Sequence, residues 1–348
     1  MKSYLTLNIV LYDEDIEPMK EALQAAKAAG ITAVIASDMA AITYARELGI
    51  EVHISTQLSI SNSQSLKFYA QYADVIVLAR ELNLGQVKEI KATIDREQIK
   101  GPSGRLLEIE MFCHGALCMA ISGKCYLSLH EYGASANRGS CYQLCRRGYS
   151  VTDLETGNTL EIDNKYIMSP KDLCTIEFMD KIIDAGVTVF KIEGRARSAE
   201  YVKTVARCYR DAADAVLAGK YTPEYASELK ERLSTVFNRG FWDGYYQGAR
   251  LGEWSEVYGN KATKSKKYIG KVTNYFSNIG VAEILIETGS ISVGDNVIII
   301  GPSTGVVEVT VEEIRVDLKS TESAVKGEYC SIAVPEKLRR SDKLYLFQ

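Results

Sequence analysis

The stretch TAVIASDMAAITYARELGIEVHIST, residues 32–56, decides the fold class. TAVIASD (32–38) is an apolar, β-prone run, MAAITYARELG (39–49) carries apolar residues at helical spacing, and EVHIST (51–56) returns to β character. Strand, helix and strand therefore follow one another with almost no connecting chain. The same unit recurs on either side. TLNIVLY (6–12) reads as a strand, and DIEPMKEALQAAKAAG (15–30) as a helix that stops on Gly30. SNSQSLKFYAQYA (61–73) reads as a helix capped by Ser or Asn, DVIVLA (74–79) as a strand, NLGQVKEIKATID (83–95) as a helix and LLEIEMF (106–112) as a strand. Nearly all-apolar strands alternating with helices indicate a parallel sheet covered by helices.

Beyond residue 112 the regularity stops. Residues 113–165 are rich in Gly, Ser, Asn, Cys and Tyr. Irregular stretches longer than about 12–15 residues are uncommon inside a compact domain and tend to be functional. The pattern resumes with a helix near 173–186, the strand VTVFKIEG (187–194), a long helix at 199–219 and another at 223–237. Six core strands are legible up to residue 194, whereas a closed (β/α)8 barrel needs eight. The expected class is α/β, an incomplete TIM-like barrel lacking its first units, over residues 1–260. From residue 266 the chain alternates apolar and polar residues between closely spaced Gly, Asn and Asp turns. Residues 266–348 are therefore expected to form a small C-terminal β-barrel domain, with GDNVIIIGP (294–302) and the final SDKLYLF as successive strands. KATKSKK (261–267) reads as the linker.

Composition narrows the function classes. Of 348 residues, 46% are hydrophobic and 25% charged, which is ordinary globular composition. No apolar run is long enough for a transmembrane helix, and the first residues reach acidic side chains too soon for a signal peptide. A cytoplasmic location without a membrane partner is expected. The net charge of -4 excludes a protein coated in positive charge, although local basic patches occur at Arg146–Arg147, Arg195 with Arg197, Lys261 to Lys267 and Lys337 to Arg340. Each patch taken alone is more simply a solvated surface.

Eight cysteines are present, five of them between residues 113 and 145. Clustered cysteines in such a chain point to metal or catalysis, whereas Cys174, Cys208 and Cys330 read as small buried hydrophobes. Cys118 and Cys125 have six residues between them, and Cys141 and Cys145 have three. Structural zinc usually takes pairs two to four residues apart, so the first gap is wide for zinc, while an iron–sulfur cluster tolerates it. Spacing alone leaves a cluster, a zinc ion and free thiols open, with Cys113 as a competing ligand. Gly115, Gly123 and Gly139 would let backbone approach the sulfurs. Neither an HExxH zinc-protease helix nor a GxSxG nucleophile elbow is present.

VTVFKIEGRARS (187–198) is the second notable feature. Strand alternation puts Lys191 and Glu193 on one face, where a charged pair inside a barrel needs mutual pairing or a ligand. Arg195 and Arg197 just beyond would clamp a carboxylate or phosphate. A structural salt bridge with solvated arginines is the plainer alternative.

Together, EIEMFCHGALCMAISGKCYLS, ANRGSCYQLCR, SPKDL and KIEGRARS closely resemble the peptidase U32 family, and the resemblance covers nearly the whole chain. The family is named for collagenase-like proteolysis, but its better understood bacterial members modify RNA or quinones with a 4Fe–4S cluster. The cysteines of GALC, SGKC, GSC and QLCR resemble the tRNA hydroxylation protein P subgroup. That resemblance implies Cys118, Cys125, Cys141 and Cys145 as cluster ligands and oxygen-independent 5-hydroxylation of uridine 34 in tRNA, with prephenate as hydroxyl source. The quinone proteins lack the last cysteine, so the presence of Cys145 favours the tRNA subgroup. A sister subgroup modifies a cytidine of 23S ribosomal RNA. On this reading Lys191 and Glu193 are the catalytic pair, and Arg195 and Arg197 join Lys191 in binding the anionic co-substrate. Family members usually open with a segment like ELLAPAGN and further β-α units, which implies either that a homologous subunit would complete this barrel or that the chain is a truncated gene product. The alternatives are a U32 peptidase and a non-catalytic partner of a longer homologue.

Overall fold

The computed structural model describes residues 1–157, 159–160, 166–249, 251–257 and 259–348. The end of the cysteine loop expected at 113–165, its residues 161–165, lies outside the described residues. The chain divides into two compact units. The first comprises residues 1–193, 209–230 and 238–261, and the second 194–208, 231–237 and 262–348.

In the first unit, strands and helices alternate: β1 (Tyr4–Leu7), α1 (Ile16–Ala28), β2 (Ala33–Ala36), α2 (Met39–Glu47), β3 (Glu51–Ile54), α3 (Ser63–Ala70), β4 (Val75–Val77), α4 (Leu84–Glu97) and β5 (Glu108–Gly115). The cysteine loop follows, with a short helix α5 (Leu127–Tyr132) and a two-strand ribbon β6 (Val151–Thr152) and β7 (Thr159–Leu160). Then come β8 (Asp172–Cys174), α6 (Met179–Asp184), β9 (Val187–Ile192), the helices α7 (Ala199–Leu217) and α8 (Pro223–Ser234), whose residues are divided between the two units, and β10 (Phe241–Trp242). β1, β2, β3, β4, β5 and β9 pair in that order, all parallel. These are the six strands legible in the sequence. β8 and β10 extend the sheet, β8 pairing antiparallel with the end of β5 and parallel with β10. Among the described residues β1 pairs only with β2, so the sheet is open at that edge.

Helix starts are set by side-chain caps that satisfy otherwise unpaired N–H groups. The Ala40 N–H donates to Asp38, the Ser65 N–H to Asn62, and Asn83 exchanges reciprocal bonds with Gln86. Val34, Ala36, Val52, Ile54, Ile109 and Met111 meet the helices' apolar stripes in one core. Alternate strand residues, among them His53 and Glu110, therefore face the other side of the sheet.

Two local expectations are corrected. The strand expected over 6–12 ends at Leu7, because Val10 N–H bonds Asn137 O of the cysteine loop and Asn8 O accepts from the Ser37 hydroxyl. The helix expected near 173–186 begins only at Met179, because Leu173 and Cys174 are taken up by pairing with β5.

The second unit carries β11 (Lys266–Phe276), β12 (Val281–Ile286), β13 (Ser290–Ser292), β14 (Asn296–Gly301), β15 (Gly305–Thr310), β16 (Ile314–Val316), β17 (Lys319–Thr321), β18 (Ser323–Val325), β19 (Tyr329–Ala333) and β20 (Lys343–Phe347). Eight of them form an antiparallel sheet in the order β15-β14-β20-β11-β12-β19-β16-β17, and β13 pairs with β18. Alternation in VAEILI buries Ala282, Ile284 and Ile286 against Val297, Ile299 and Leu344. Lys266 and Lys267, read as linker, already belong to β11. No helix among the described residues is long and apolar enough to cross a membrane.

Candidate functional site

The cysteine loop leaves the carboxyl end of β5, where parallel α/β sheets place their sites. It is tied down at several points. Arg146 donates to Leu117 O at 2.7 Å, to Ser169 Oγ at 3.2 Å and to Pro170 O. Arg138 pairs with Asp15 at 2.6 Å and stacks 3.9 Å over the Tyr12 ring. Tyr142 N–H donates to Ser128 Oγ at 3.0 Å, joining the second cysteine pair to α5. Arg146 is thus a partly buried clamp rather than the solvated charge its pairing with Arg147 suggested. Gly139 has φ +91°, a conformation that favours glycine, and it lies where the loop meets Ile9.

Within this loop Cys118, Cys125, Cys141 and Cys145 line one cavity of about 460 Å³, shared with Met119, Tyr126 and His130 among others. Cys118 and Cys141 are exposed, and Cys125 and Cys145 partly so. Burial raises the Cys145 thiol above its ordinary value; Arg146 opposes the rise, and Cys118, Cys141 and Cys125 add to it. That influence places the other three sulfurs within electrostatic reach of Cys145. Among the described residues no three His, Cys, Asp or Glu side chains form a ready-made set for a single metal ion. Cys113 does not line this cavity. It is buried, and its thiol donates to Lys191 O at 3.4 Å. Cys174 is also buried, near Tyr209, and burial pushes its thiol up to about 12.

Exposed aromatics border the loop. Tyr132 and Tyr142 meet edge to face at 5.3 Å between ring centres, and Arg147 bonds Tyr132 Oη at 3.0 Å. Tyr126 is exposed at the cavity itself. Among the described residues no hydrogen bond joins His130 to a loop cysteine.

Lys191 has a partner that the sequence did not suggest. Its Nζ lies 2.6 Å from Glu110 Oε1, and Glu110 Oε2 lies 2.9 Å from His53 Nδ1. An ionised carboxylate only accepts, so both neighbours donate to it. Only 4% of the Glu110 side chain and 5% of His53 are exposed. Burial pushes the Glu110 carboxyl up, but the His53 hydrogen bond and the Lys191 charge outweigh it and hold the group below its ordinary 4.5. A carboxylate inside the apolar run EIEMF was the available signal, since a buried charge requires a partner. Glu193, expected to pair with Lys191, lies just past the end of β9, where its N–H donates to His114 O at 2.8 Å. Arg195 and Arg197 fall in the second unit. Arg195 is exposed, and the Arg197 guanidinium sits 3.9 Å from the Phe237 ring centre.

Residues 1–256 match the model of Peptidase family U32. A protein of Porphyromonas gingivalis named collagenase is 59% identical over 347 residues, covering 100% of this chain and 84% of its own. A tRNA hydroxylation protein of Bacillus subtilis is 33% identical over 321 residues, covering 90% of this chain and 73% of its own. A 23S rRNA 5-hydroxycytidine synthase of Escherichia coli is 34% identical over 309 residues, covering 84% of this chain and 44% of its own.

Proposed function

The chain belongs to peptidase family U32, and from that premise we propose that it is a cluster-dependent RNA-modifying enzyme, acting in oxygen-independent 5-hydroxylation of uridine in tRNA. The observation that carries this reading is the single cavity lined by Cys118, Cys125, Cys141 and Cys145. Four thiolates are the donor set of a 4Fe–4S cluster. A zinc ion would draw its four sulfurs to about 3.8 Å from one another, given Zn–S bonds of about 2.3 Å in a tetrahedron. A 4Fe–4S cluster spreads its thiolates over several metal atoms and so suits the six-residue gap between Cys118 and Cys125. When bound, such a cluster supplies one-electron transfer. The Arg146 clamp holds the loop backbone at Leu117 beside Cys118, and glycine at 139 permits the turn before Cys141.

Tyr126, Tyr132 and Tyr142 with Arg147 suit an unpaired RNA base, because such bases stack on aromatic and guanidinium planes. Lys191, its Nζ 2.6 Å from Glu110, would meet an anionic co-substrate such as prephenate, with Glu193 as its catalytic partner. The test has two parts. Anaerobic purification with iron, sulfide and zinc analysis should give a brown protein with iron and sulfide, and their absence sinks the cluster. Digested tRNA from cells lacking the gene should have lost 5-hydroxyuridine, and the gene should restore it unless Cys118 and Cys141 are changed to Ser.

The name of the 59% identical relative favours a second reading, a collagenase-like peptidase. Peptide hydrolysis by the purified chain that survives Cys118→Ser and Cys141→Ser would favour it over the first.

A further inference from the structure

Arg80 follows β4 at the carboxyl end of the parallel sheet, one strand away from the cysteine loop's origin on β5. Its guanidinium carbon lies 4.0 Å from the centre of the Phe112 ring. Its Nε is buried without a hydrogen-bond partner, and its side chain forms no ion pair among the described residues. Glu81, the next residue, does not answer the charge. Lys191 approaches the same ring, with Nζ 5.6 Å from the centre, but its charge is already met by Glu110. Lys191 thus has its carboxylate, and Arg80, which shares the Phe112 ring with it, is a cation without a counter-ion among the described residues.

A guanidinium is always charged, and taking it partly out of water without a counter-ion is costly. The Phe112 face offsets part of that cost and fixes the plane of the fork. What remains open is the charge itself. The planar fork matches a carboxylate, which it grips through two parallel hydrogen bonds. The position also fits, since ligands of open parallel sheets bind outside the carboxyl ends of the strands. A buried Nε and a partly buried side chain suit a small acid better than a polynucleotide backbone.

We propose that Arg80, with Lys191 as second donor, binds a small carboxylate ligand beside Phe112. The site is independent of the cluster, and its anchor is a residue outside the Lys191–Arg197 segment to which the anion was assigned from sequence. Glu110 is the positioning residue that holds the Lys191 ammonium in place.

The full-length protein is titrated calorimetrically with succinate, inorganic phosphate and a short single-stranded RNA, and its thermal midpoint is followed with each. Succinate should bind and raise the midpoint. Arg80→Met should weaken succinate binding by about tenfold or more, the worth of a bidentate charged contact. The unliganded Arg80→Met protein should melt no lower than the wild type, because it loses an uncompensated charge. Arg80→Lys keeps the charge without the fork and should bind between the two. Unaltered succinate binding in Arg80→Met, or none in the wild type, overturns the proposal. So does a response to phosphate alone or to RNA alone. Failure of both variants to fold would show Arg80 to be structural and overturns it too. Iron and sulfide content is read separately, so loss of the cluster reading leaves this result standing.

Discussion

Replacing Glu110 by Gln should lower the stability of the first unit by about 2 kcal/mol. The glutamine keeps the shape. Its carbonyl can accept from Lys191, and His53 can change tautomer to accept from the amide. What is lost is the charge, so two charge-assisted bonds at 2.6 and 2.9 Å become neutral ones. Bonds to charged groups are worth about 1.5–3 kcal/mol against about 1 for neutral pairs. With Glu110 only 4% exposed and Lys191 22% exposed, solvent screens little of the difference. Glu110→Leu leaves both donors unmet and should cost more, about 3–5 kcal/mol. Adding Lys191→Met to that variant should recover part of the loss, because no unpaired cation remains. Both tryptophans, Trp242 and Trp254, lie in the first unit, so urea unfolding followed by their fluorescence reports on it. With a slope of about 3 kcal/mol per molar urea, the Glu110→Gln midpoint should fall by about 0.7 M. The pH dependence has a defined sign. The folded carboxyl titrates below its ordinary 4.5, so its contribution is full above that value and drains away as pH falls below it. The gap between wild type and Glu110→Gln should therefore narrow in acid. A midpoint shift under about 0.2 M, or a gap that persists unchanged to about pH 3, would refute the buried charge pair.

Three further outcomes follow from the cysteine loop. In metal-free native protein at pH 8, a thiol reagent read by peptide mass spectrometry should label exposed Cys118 and Cys141 first and leave Cys113, Cys174, Cys208 and Cys330 unlabelled until denaturant is added; burial holds Cys174 and Cys330 at about 12, and early labelling of either contradicts their placement. Arg146→Ala removes donors to Leu117 O, Ser169 Oγ and Pro170 O, so Cys145 should be labelled about tenfold faster, with Arg146→Lys recovering only part of the protection. Gly139→Ala should cost about 1–2 kcal/mol in loop order through its φ of +91° alone, since the new methyl would meet Ile9 at an ordinary 3.6 Å; iron content after anaerobic loading should fall, and an unchanged content would show that the loop tolerates another turn.

The parallel sheet was legible because its central strands β2 to β5 are buried on both faces and therefore read as near-unbroken apolar runs between helical patterns. The antiparallel sheet was legible for the opposite reason. Strict alternation in VAEILI tells inside from outside, as the burial of Ala282, Ile284 and Ile286 shows. The failures lie where pairing beyond the local segment overrides propensity. TLNIVLY has the composition of one long strand, yet its second half is held by Asn137 and Ser37 and leaves the ladder at Leu7. Residues 172–174 are too short to announce a strand, and the neighbouring β5 end makes them one.

The candidate site divides along the same line. Cysteines are few and chemically distinctive, so a loop that gathers five of them within 33 residues, from Cys113 to Cys145, announces itself. Charges are common, and their meaning depends on what the fold brings beside them. Arg146 and Arg147 are adjacent in sequence, but one holds backbone carbonyls while the other leans on an exposed tyrosine. Lys191 and Glu193 share a strand face in the alternation argument, yet the lysine's carboxylate comes from β5 and its histidine neighbour from β3. A parallel sheet makes such convergence natural, because it sets the same ends of distant segments side by side. The same topology also sends the cysteine loop off β5, five residues after Glu110 in the strand's last position, Gly115. The thiol cavity and the charged group on the sheet are thus rooted in one strand. A change at Glu110 that disturbs the register of β5 should therefore be felt at both, whereas Arg80→Met, acting from β4, should leave the thiols' labelling pattern as it was.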